Sequence, residues 1–220
     1  MKLSITIPQL ILDDEIWELA KKNLASIKKN TVGEYEIIFV DNASPLHQDW
    51  LKENCDLYIR NETNTGNAHA WNDGLKVATG DYLCLMDNDV IWHSFGWNEK
   101  MMEMLNNSRI GIVFPVSRNK EDDGWKIRLV GFCFIFSRKI FNEIGYISEE
   151  YGLGNFEDDD YFMRTLDAGY LLKVCKKAKI KHYSRATCDK IPEIQQIWLK
   201  NREYFFKKFQ GRMPQLEGLQ

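Results

Sequence analysis

Apolar residues come along this chain in short dense bursts, separated by stretches of helical spacing. Leu3, Ile5 and Ile7 alternate with Ser4 and Thr6, the period-two signature of a strand. Ile16, Leu19, Ala20, Leu24 and Ile27 then return every three or four residues, predicting a helix with Asp13 or Asp14 as its cap. Residues 35–40 (YEIIFV) are too continuously apolar for a half-exposed strand and read as a central parallel one. A short strand over 56–59 and a helix over 68–78, after the turn Asn64-Thr65-Gly66, follow. Further strands are predicted at 82–86 (YLCLM) and 110–114 (IGIVF), with a helix between them at 97–105.

The second half offers a strand at 130–136 (VGFCFIF), a short helix at 138–144, strands at 170–174 and 180–183, and a terminal helix over 191–209. Strands alternating with helices predict an α/β sheet with parallel pairing. No Pro/Gly/Ser-rich linker and no repeat divides the chain, so one domain is expected, fraying from Arg212 onward.

Composition narrows the function classes. The 220 residues are 44% hydrophobic and 28% charged, enough for one substantial core. With 29 basic against 32 acidic residues the net charge is -3, which excludes a chain built to coat nucleic acid, and no nucleic-acid motif is present. Cys55, Cys84, Cys133, Cys175 and Cys188 are odd in number and form no CxxC pair, against a zinc or disulfide framework. Cys84 and Cys133 read as small buried hydrophobes. The first segment is broken by Pro8 and closed by Asp13 and Asp14, a strand rather than a signal peptide. No run reaches the roughly 18 apolar residues of a membrane span, so the expected location is cytoplasmic.

Candidate chemistry sits at strand ends, where loops converge in an open α/β sheet. One buried strand runs into Asp41-Asn42-Ala43-Ser44, another into Asp87-Asn88-Asp89. A carboxylate there is costly unless it has a partner, although for Asp41 simple turn capping is the plainer account. Asp87 and Asp89, one residue apart, can reach a single hard cation such as Mg²⁺ or Mn²⁺. A third cluster is Glu157-Asp158-Asp159-Asp160. Four adjacent acids repel one another and call for a cation, an arginine or a raised pKa. First-turn helix chemistry, with Asp160 and Arg164 as an i,i+4 pair, is the plainer account of part of it. Successive helical side chains lie about 100° apart, so Asp158 and Asp159 are not expected to face one ligand together.

In this order the pieces resemble the inverting GT-A glycosyltransferases of the family 2 type, including rhamnosyltransferase-like members, over nearly the whole chain. Thr6-Ile7-Pro8 resembles the opening strand motif and Val40 to Ser44 the nucleotide-base loop. Residues 60–67 with Asn72-Asp73-Gly74 resemble the segment facing the nucleotide, and Asp87-Asn88-Asp89 the metal motif. Glu157-Asp158, Asp160, Arg164 and Ala168-Gly169-Tyr170 resemble the catalytic helix, and His182 stands where the family often has a histidine near the metal. One departure is Gln9-Leu10 after Pro8, in place of threonine-tyrosine-asparagine.

The resemblance implies a single GT-A domain, Rossmann-like with a mixed central sheet, over 1–211, and a flexible tail over 212–220. It implies sugar transfer from a nucleotide-diphosphate sugar to the hydroxyl of a glycan, lipid-linked or other acceptor. Asp158 would be the general base, and Asp87, Asp89 and His182 the ligands of Mn²⁺ or Mg²⁺. Pro8, Asp41, Asn42, Ser44, Asn64, Gly66, Asn67, Asn72, Asp87, Asn88 and Glu157 would contact the donor. Asp41 on the base edge favours a UDP- or dTDP-type sugar. The loops at 116–127 and 148–156 are expected to choose the acceptor.

Two rivals remain open at this stage. One is an inactive nucleotide- or glycan-binding module of the same fold. The other is a DxD phosphotransferase of the haloacid-dehalogenase kind, whose motif usually follows the first strand rather than arriving at residue 87. Trp71, Trp92 and Trp97 lie near the two loops, as sugar platforms or as core. The terminal helix interleaves Tyr204, Phe205, Phe206 and Phe209 with Lys200, Arg202, Lys207 and Lys208. An amphipathic helix packing its aromatics inward explains this. An anionic acceptor or a peripheral membrane surface is the alternative partner.

Overall fold

The computed structural model describes residues 1–119, 122–183, 187 and 190–216. In chain order the first half holds β1 (Lys2–Gln9), α1 (Asp14–Asn30), β2 (Glu34–Asn42), α2 (Gln48–Glu53), β3 (Leu57–Asn61), α3 (Asn67–Val77), β4 (Tyr82–Met86), β5 (Val90–Trp92) and α4 (Trp97–Leu105). The second half adds β6 (Ile110–Asn119), β7 (Cys133–Ser137), α5 (Arg138–Ile144), α6 (Glu157–Asp167), β8 (Leu171–His182) and α7 (Ile194–Lys208).

One mixed sheet runs β3-β2-β1-β4-β7-β6-β8-β5. The β3-β2-β1-β4 half is parallel, as is β6 with β8, while β7 runs antiparallel to β4 and β6. Helices cover both faces, so the strands read as continuous apolar runs. Leu3, Ile5 and Ile7 join Ile16, Ala20, Leu24 and Ile27 in one core. Ile38, Val40, Leu83 and Leu85 join Trp71, Leu75 and Phe162 in the other. The helix expected after β1 is α1, and Asp13 is its cap, accepting the Ile16 N–H at 3.0 Å.

The sheet's first strands are stitched by a buried acid. Glu36 of β2 accepts Lys2 Nζ at 2.6 Å, Ser4 Oγ at 2.5 Å and the Thr79 N–H at 2.7 Å. Burial alone would raise its pKa, but these bonds outweigh burial and draw it down to about 2.

Several boundaries differ from the sequence expectation. The strands expected at 170–174 and 180–183 are one strand, β8. Its register against β6 jumps from Pro115↔Cys175 to Val116↔Lys179, so Lys176 and Lys177 sit in a bulge that reads as a break in the sequence. β7 begins only at Cys133, because Gly131 and Phe132 turn into the cleft described below. α7 starts at Ile194 rather than 191, and α2 and β5 are too short to show periodicity. Of the segment expected to fray, Arg212 forms an ion pair with Asp167 at 2.6 Å and Leu216 packs against the core. Residues 217–220, like Cys188 and residues 120–121 of the loop at 116–127, lie outside the described part. The other four cysteines are free.

Candidate active site

A cleft of about 380 Å³ opens at the carboxyl ends of β1, β2 and β4. Pro8, Asn42 and the segment leading into α3 (Asn64, Gly66, Asn67) form one side. Gly66 enters α3 at φ +86, and a Cβ there would fall 2.2 Å from the Gly152 carbonyl oxygen, so two cleft loops meet at a glycine. The loop after β4, the Gly131-Phe132 turn and the first turn of α6 form the other side. Ile191, Ile194 and Trp198 close the cleft from the C-terminal segment.

Strand pairing explains how residues 95 apart in sequence converge. β5 follows the Asp87-Asn88-Asp89 loop and pairs antiparallel with β8, setting Val90 opposite His182. The Tyr183 N–H then bonds the Asp89 carbonyl at 3.0 Å. His182 Nε2 stands 3.2 Å from Asp89 Oδ1 in an arrangement that forms no hydrogen bond, and its ring stacks on Phe132 at 3.9 Å. Asp87, Asp89 and His182 each offer a ligand atom, all within 4.8 Å of one another.

Five buried polar atoms around this cleft have no hydrogen-bond partner among the described residues: Gln9 Nε2, Trp71 Nε1, Asp89 Oδ1, Glu157 Oε2 and His182 Nδ1. Each such orphan costs about 1–3 kcal/mol, so their concentration in one cleft marks a ligand site. Two carboxylates and an imidazole form a donor set suited to a divalent cation such as Mn²⁺ or Mg²⁺, and the residues present fit it.

The acids repel as their number requires. Burial, then the charges of Asp89, Glu157 and Asp158, pushes Asp87 well above the usual carboxylate range. Burial and the Asp158 charge push Glu157 up to about 8, and the same two causes take Asp159 to about 8. Burial raises Asp158 as well. Asp160, the fourth acid, is structural. It turns away from the cleft and accepts Arg164 Nε at 2.7 Å, Lys208 Nζ at 2.7 Å and the Tyr151 hydroxyl at 3.0 Å.

One geometric expectation fails. Asp158 and Asp159 both line the cleft, together with Glu157. The helix meets the cleft end-on, so its first turn surrounds the opening instead of presenting one side.

The other expected donor contacts divide. Pro8, Asn42, Asn64, Gly66, Asn67, Asp87, Asn88 and Glu157 line the cleft. Asp41 is fully buried beneath it, accepting the Ser44 N–H at 2.8 Å, the Tyr58 hydroxyl at 2.6 Å and Arg60. Ser44 Oγ accepts the Ile11 N–H at 2.9 Å, and Asn72 bonds the Ile147 backbone and Glu149. Of the tryptophans, Trp71 borders the cleft, while Trp92 and Trp97 stack on each other in the core at 3.8 Å.

Sequence reasoning missed Gln9, Gly131 and Asn201. Gln9 Oε1 accepts Asn88 Nδ2 at 3.0 Å and so steadies the loop between the two aspartates. Asn201 of α7 donates to the Tyr151 and Gly154 carbonyls, both at 2.7 Å. It thereby holds the segment in which Gly154, Asn155 and Phe156 all have positive φ just before α6. An isolated glycine inside VGFCFIF was the readable signal for Gly131, since it marks a close approach.

Comparison with known proteins places this geometry. The sequence is 29% identical over 189 residues to an uncharacterized glycosyltransferase, YwdF, of Bacillus subtilis, covering 75% of this chain and 68% of that protein. It is 26% identical over 125 residues to a poly-beta-1,6-N-acetyl-D-glucosamine synthase of Staphylococcus epidermidis, covering 54% of this chain but only 30% of that one. The mannosyltransferase PcManGT of Pyrobaculum calidifontis, solved with GDP-Man and Mn²⁺, superposes with a TM-score of 0.74 at 16% identity, over 96% of this chain and 65% of that one. GalNAc-T7, solved with UDP, GalNAc and Mn²⁺, gives 0.70 at 16% identity, over 93% of this chain and 50% of that one. These likenesses establish the GT-A fold. The glycosyl transferase family 2 description matches residues 14–162, more than half of the chain, and with that match the chain is a glycosyltransferase domain belonging to glycosyl transferase family 2.

Proposed function

We propose that this domain moves a sugar from a nucleotide-diphosphate sugar to an acceptor hydroxyl, inverting the anomeric centre, with a divalent cation and Asp158 as general base. The observation that carries this reading is the convergence of Asp87, Asp89 and His182 within 4.8 Å of one another, beside the acids of α6. A bound cation supplies positive charge for the departing diphosphate. The chain's own residues do the rest. The N-terminal turn of α3 and Asn42 receive the nucleotide, and Gln9 offers an unpaired N–H to it. Asp158 takes the proton of the attacking hydroxyl while the α7 wall limits water.

The bound nucleotides of the structural neighbours, UDP in one and GDP-Man in another, support a diphosphate donor without choosing the base. A uridine or thymidine carrier is the choice proposed here. For Asp41 to reach the base, Arg60 or Tyr58 has to give way. A thermal-shift panel of UDP, GDP, dTDP and CMP sugars with and without Mn²⁺ tests this, since the right donor stabilises only the native state. Product analysis by NMR then reports the anomeric configuration. Retention of configuration refutes the single-base mechanism. Family membership leaves the haloacid-dehalogenase reading without support, whereas an inactive module is refuted by turnover with any donor in the panel.

A further inference from the structure

The edge of the sheet at β8 and β5 carries a strip of cations that the transfer reaction does not use. Lys176 and Lys177 project from the β8 bulge and Lys179 follows on the strand, all three exposed, with Lys181 half-buried beyond them. Arg118 lies beside Lys181 in the β6–β8 register. Among the described residues none of these five meets a carboxylate within ion-pair distance. Of the acids close in sequence, those among the described residues are already taken, Asp122 by Arg128 at 2.5 Å and Asp123 by Lys126 at 2.8 Å. Burial and the charges of Arg118 and Lys181 lower the pKa of His93, which reports the same uncompensated field.

Aromatic groups are set among these cations. The Arg118 guanidinium lies 5.3 Å and Lys179 Nζ 5.6 Å from the Trp125 ring, and Lys181 Nζ lies 4.3 Å from that of Tyr183. Beside them Phe95 is 67% exposed. Its loop is tied to the strip, because Ser94 Oγ accepts the Lys179 N–H at 3.0 Å and the His93 N–H bonds the Lys179 carbonyl at 2.9 Å.

We propose that this strip is a docking surface for an anionic lipid bilayer. Charge complementarity argues for an anionic partner, since a chain of net charge -3 concentrates here five cations with no carboxylate partner among the described residues. The exposed Phe95 selects a bilayer over a soluble polyanion, because only a bilayer offers an apolar layer beneath its anionic surface. The strip abuts the cleft, as Lys181 immediately precedes His182, which lines it. The inference does not depend on the donor or mechanism proposed above.

The test is co-sedimentation of the full chain with vesicles of phosphatidylglycerol and phosphatidylcholine, against vesicles of phosphatidylcholine alone. Two variants are compared, the triple Lys176→Gln, Lys177→Gln, Lys179→Gln and the single Phe95→Ser. Wild type should partition onto the anionic vesicles and be released by salt. Each lysine removed should cost roughly fivefold, so the triple variant loses about a hundredfold. Phe95→Ser should lose several-fold at unchanged charge. Thermal melts matching wild type confirm that the variants fold. Equal binding to both vesicle types, or to neither, overturns the proposal, as does full binding by the triple variant. Unimpaired binding by Phe95→Ser, with polyphosphate displacing the protein through the same lysines, identifies a soluble polyanion instead and also overturns it.

Discussion

Gly131 lies so close to Asp158 that a methyl group on its α-carbon would fall 1.6 Å from the Asp158 Oδ2 atom. The carboxylate of the proposed base is therefore seated against bare backbone, and the seat exists only because residue 131 has no side chain. A base must sit within hydrogen-bond reach of the proton it removes, and a displacement of about 1 Å can cost about 10²-fold in rate.

The first prediction follows directly. Gly131→Ala pushes Asp158 out of its seat while leaving Asp87, Asp89 and His182 in place. Turnover should fall by roughly 10²-fold and nucleotide affinity in Mn²⁺ should hold. Steady-state rates with parallel calorimetry separate the two, and a fully active Gly131→Ala enzyme shows that the position of Asp158 does not limit the reaction.

The second prediction concerns the cation. Asp87, Asp89 and His182 gather ligand atoms without neutralising one another, and burial with neighbouring charge already pushes Asp87 well up. Binding of a nucleoside diphosphate adds further negative charge to this cleft, so it should require a divalent ion. Calorimetry with UDP or GDP should show binding in Mn²⁺ and none in EDTA. Asp89→Asn should weaken the Mn²⁺-dependent binding by at least tenfold. Equal affinity in EDTA and Mn²⁺ rules the metal assignment out.

How much of this was legible in the sequence depends on distance along the chain. Local signals were clear. A cap at Asp13 or Asp14, the helical face from Ile16 to Ile27 and the buried strands at 35–40 and 82–86 each follow from the local pattern alone. The likeness of the ordered motifs supplied the fold and brought His182 to the aspartates. The fate of Asp41 was not legible, because its partners Tyr58 and Arg60 come from the neighbouring strand β3 and only strand pairing sets them beneath the cleft. Asn201 and Trp198 were hidden for the same reason. The packing of Phe205 and Phe209 with Phe156 and Met163 brings Trp198 to the cleft and Asn201 to the 151–154 segment beside it, and the pattern of α7 does not say what covers it. The joint exposure of Asp158 and Asp159 was missed because helical periodicity describes a helix from its side and this one is met at its end.

The third prediction uses Glu36, far from the cleft. Its pKa near 2 in the folded chain lies below the ordinary carboxylate value, so the folded state holds the ionised form more tightly than the unfolded state does. That stability is fully present above about pH 4.5 and is lost as pH falls through the window down to about 2. Glu36→Gln should therefore be less stable than wild type at pH 7 by on the order of 2 kcal/mol, with the gap closing as the pH is lowered through that window. Urea melts at pH 7, 5 and 3 measure it. A gap that stays constant with pH assigns the loss to packing rather than to charge.

The last prediction separates the acids at the mouth of α6. All three line the cleft, so lining alone does not choose among them, and the seat against Gly131 singles out Asp158. Glu157 and Asp159 each rise to about 8, and in both the Asp158 charge is a cause second only to burial. Both shifts favour the neutral forms of these two acids. Asp158 is raised by burial, with backbone N–H bonds from the helix start pulling the other way. Gly131 fixes where its carboxylate lies, since a Cβ there would fall 1.6 Å from Asp158 Oδ2. Asp158→Asn keeps the shape and removes the basicity, so turnover should fall by roughly 10²-fold or more while donor affinity hardly moves. Asp159→Asn removes a carboxyl that burial and the Asp158 charge already push towards its neutral form and should cost less than tenfold. Rates for the two variants under saturating donor decide the matter: an inactive Asp159→Asn beside a normal Asp158→Asn transfers the role of base to Asp159.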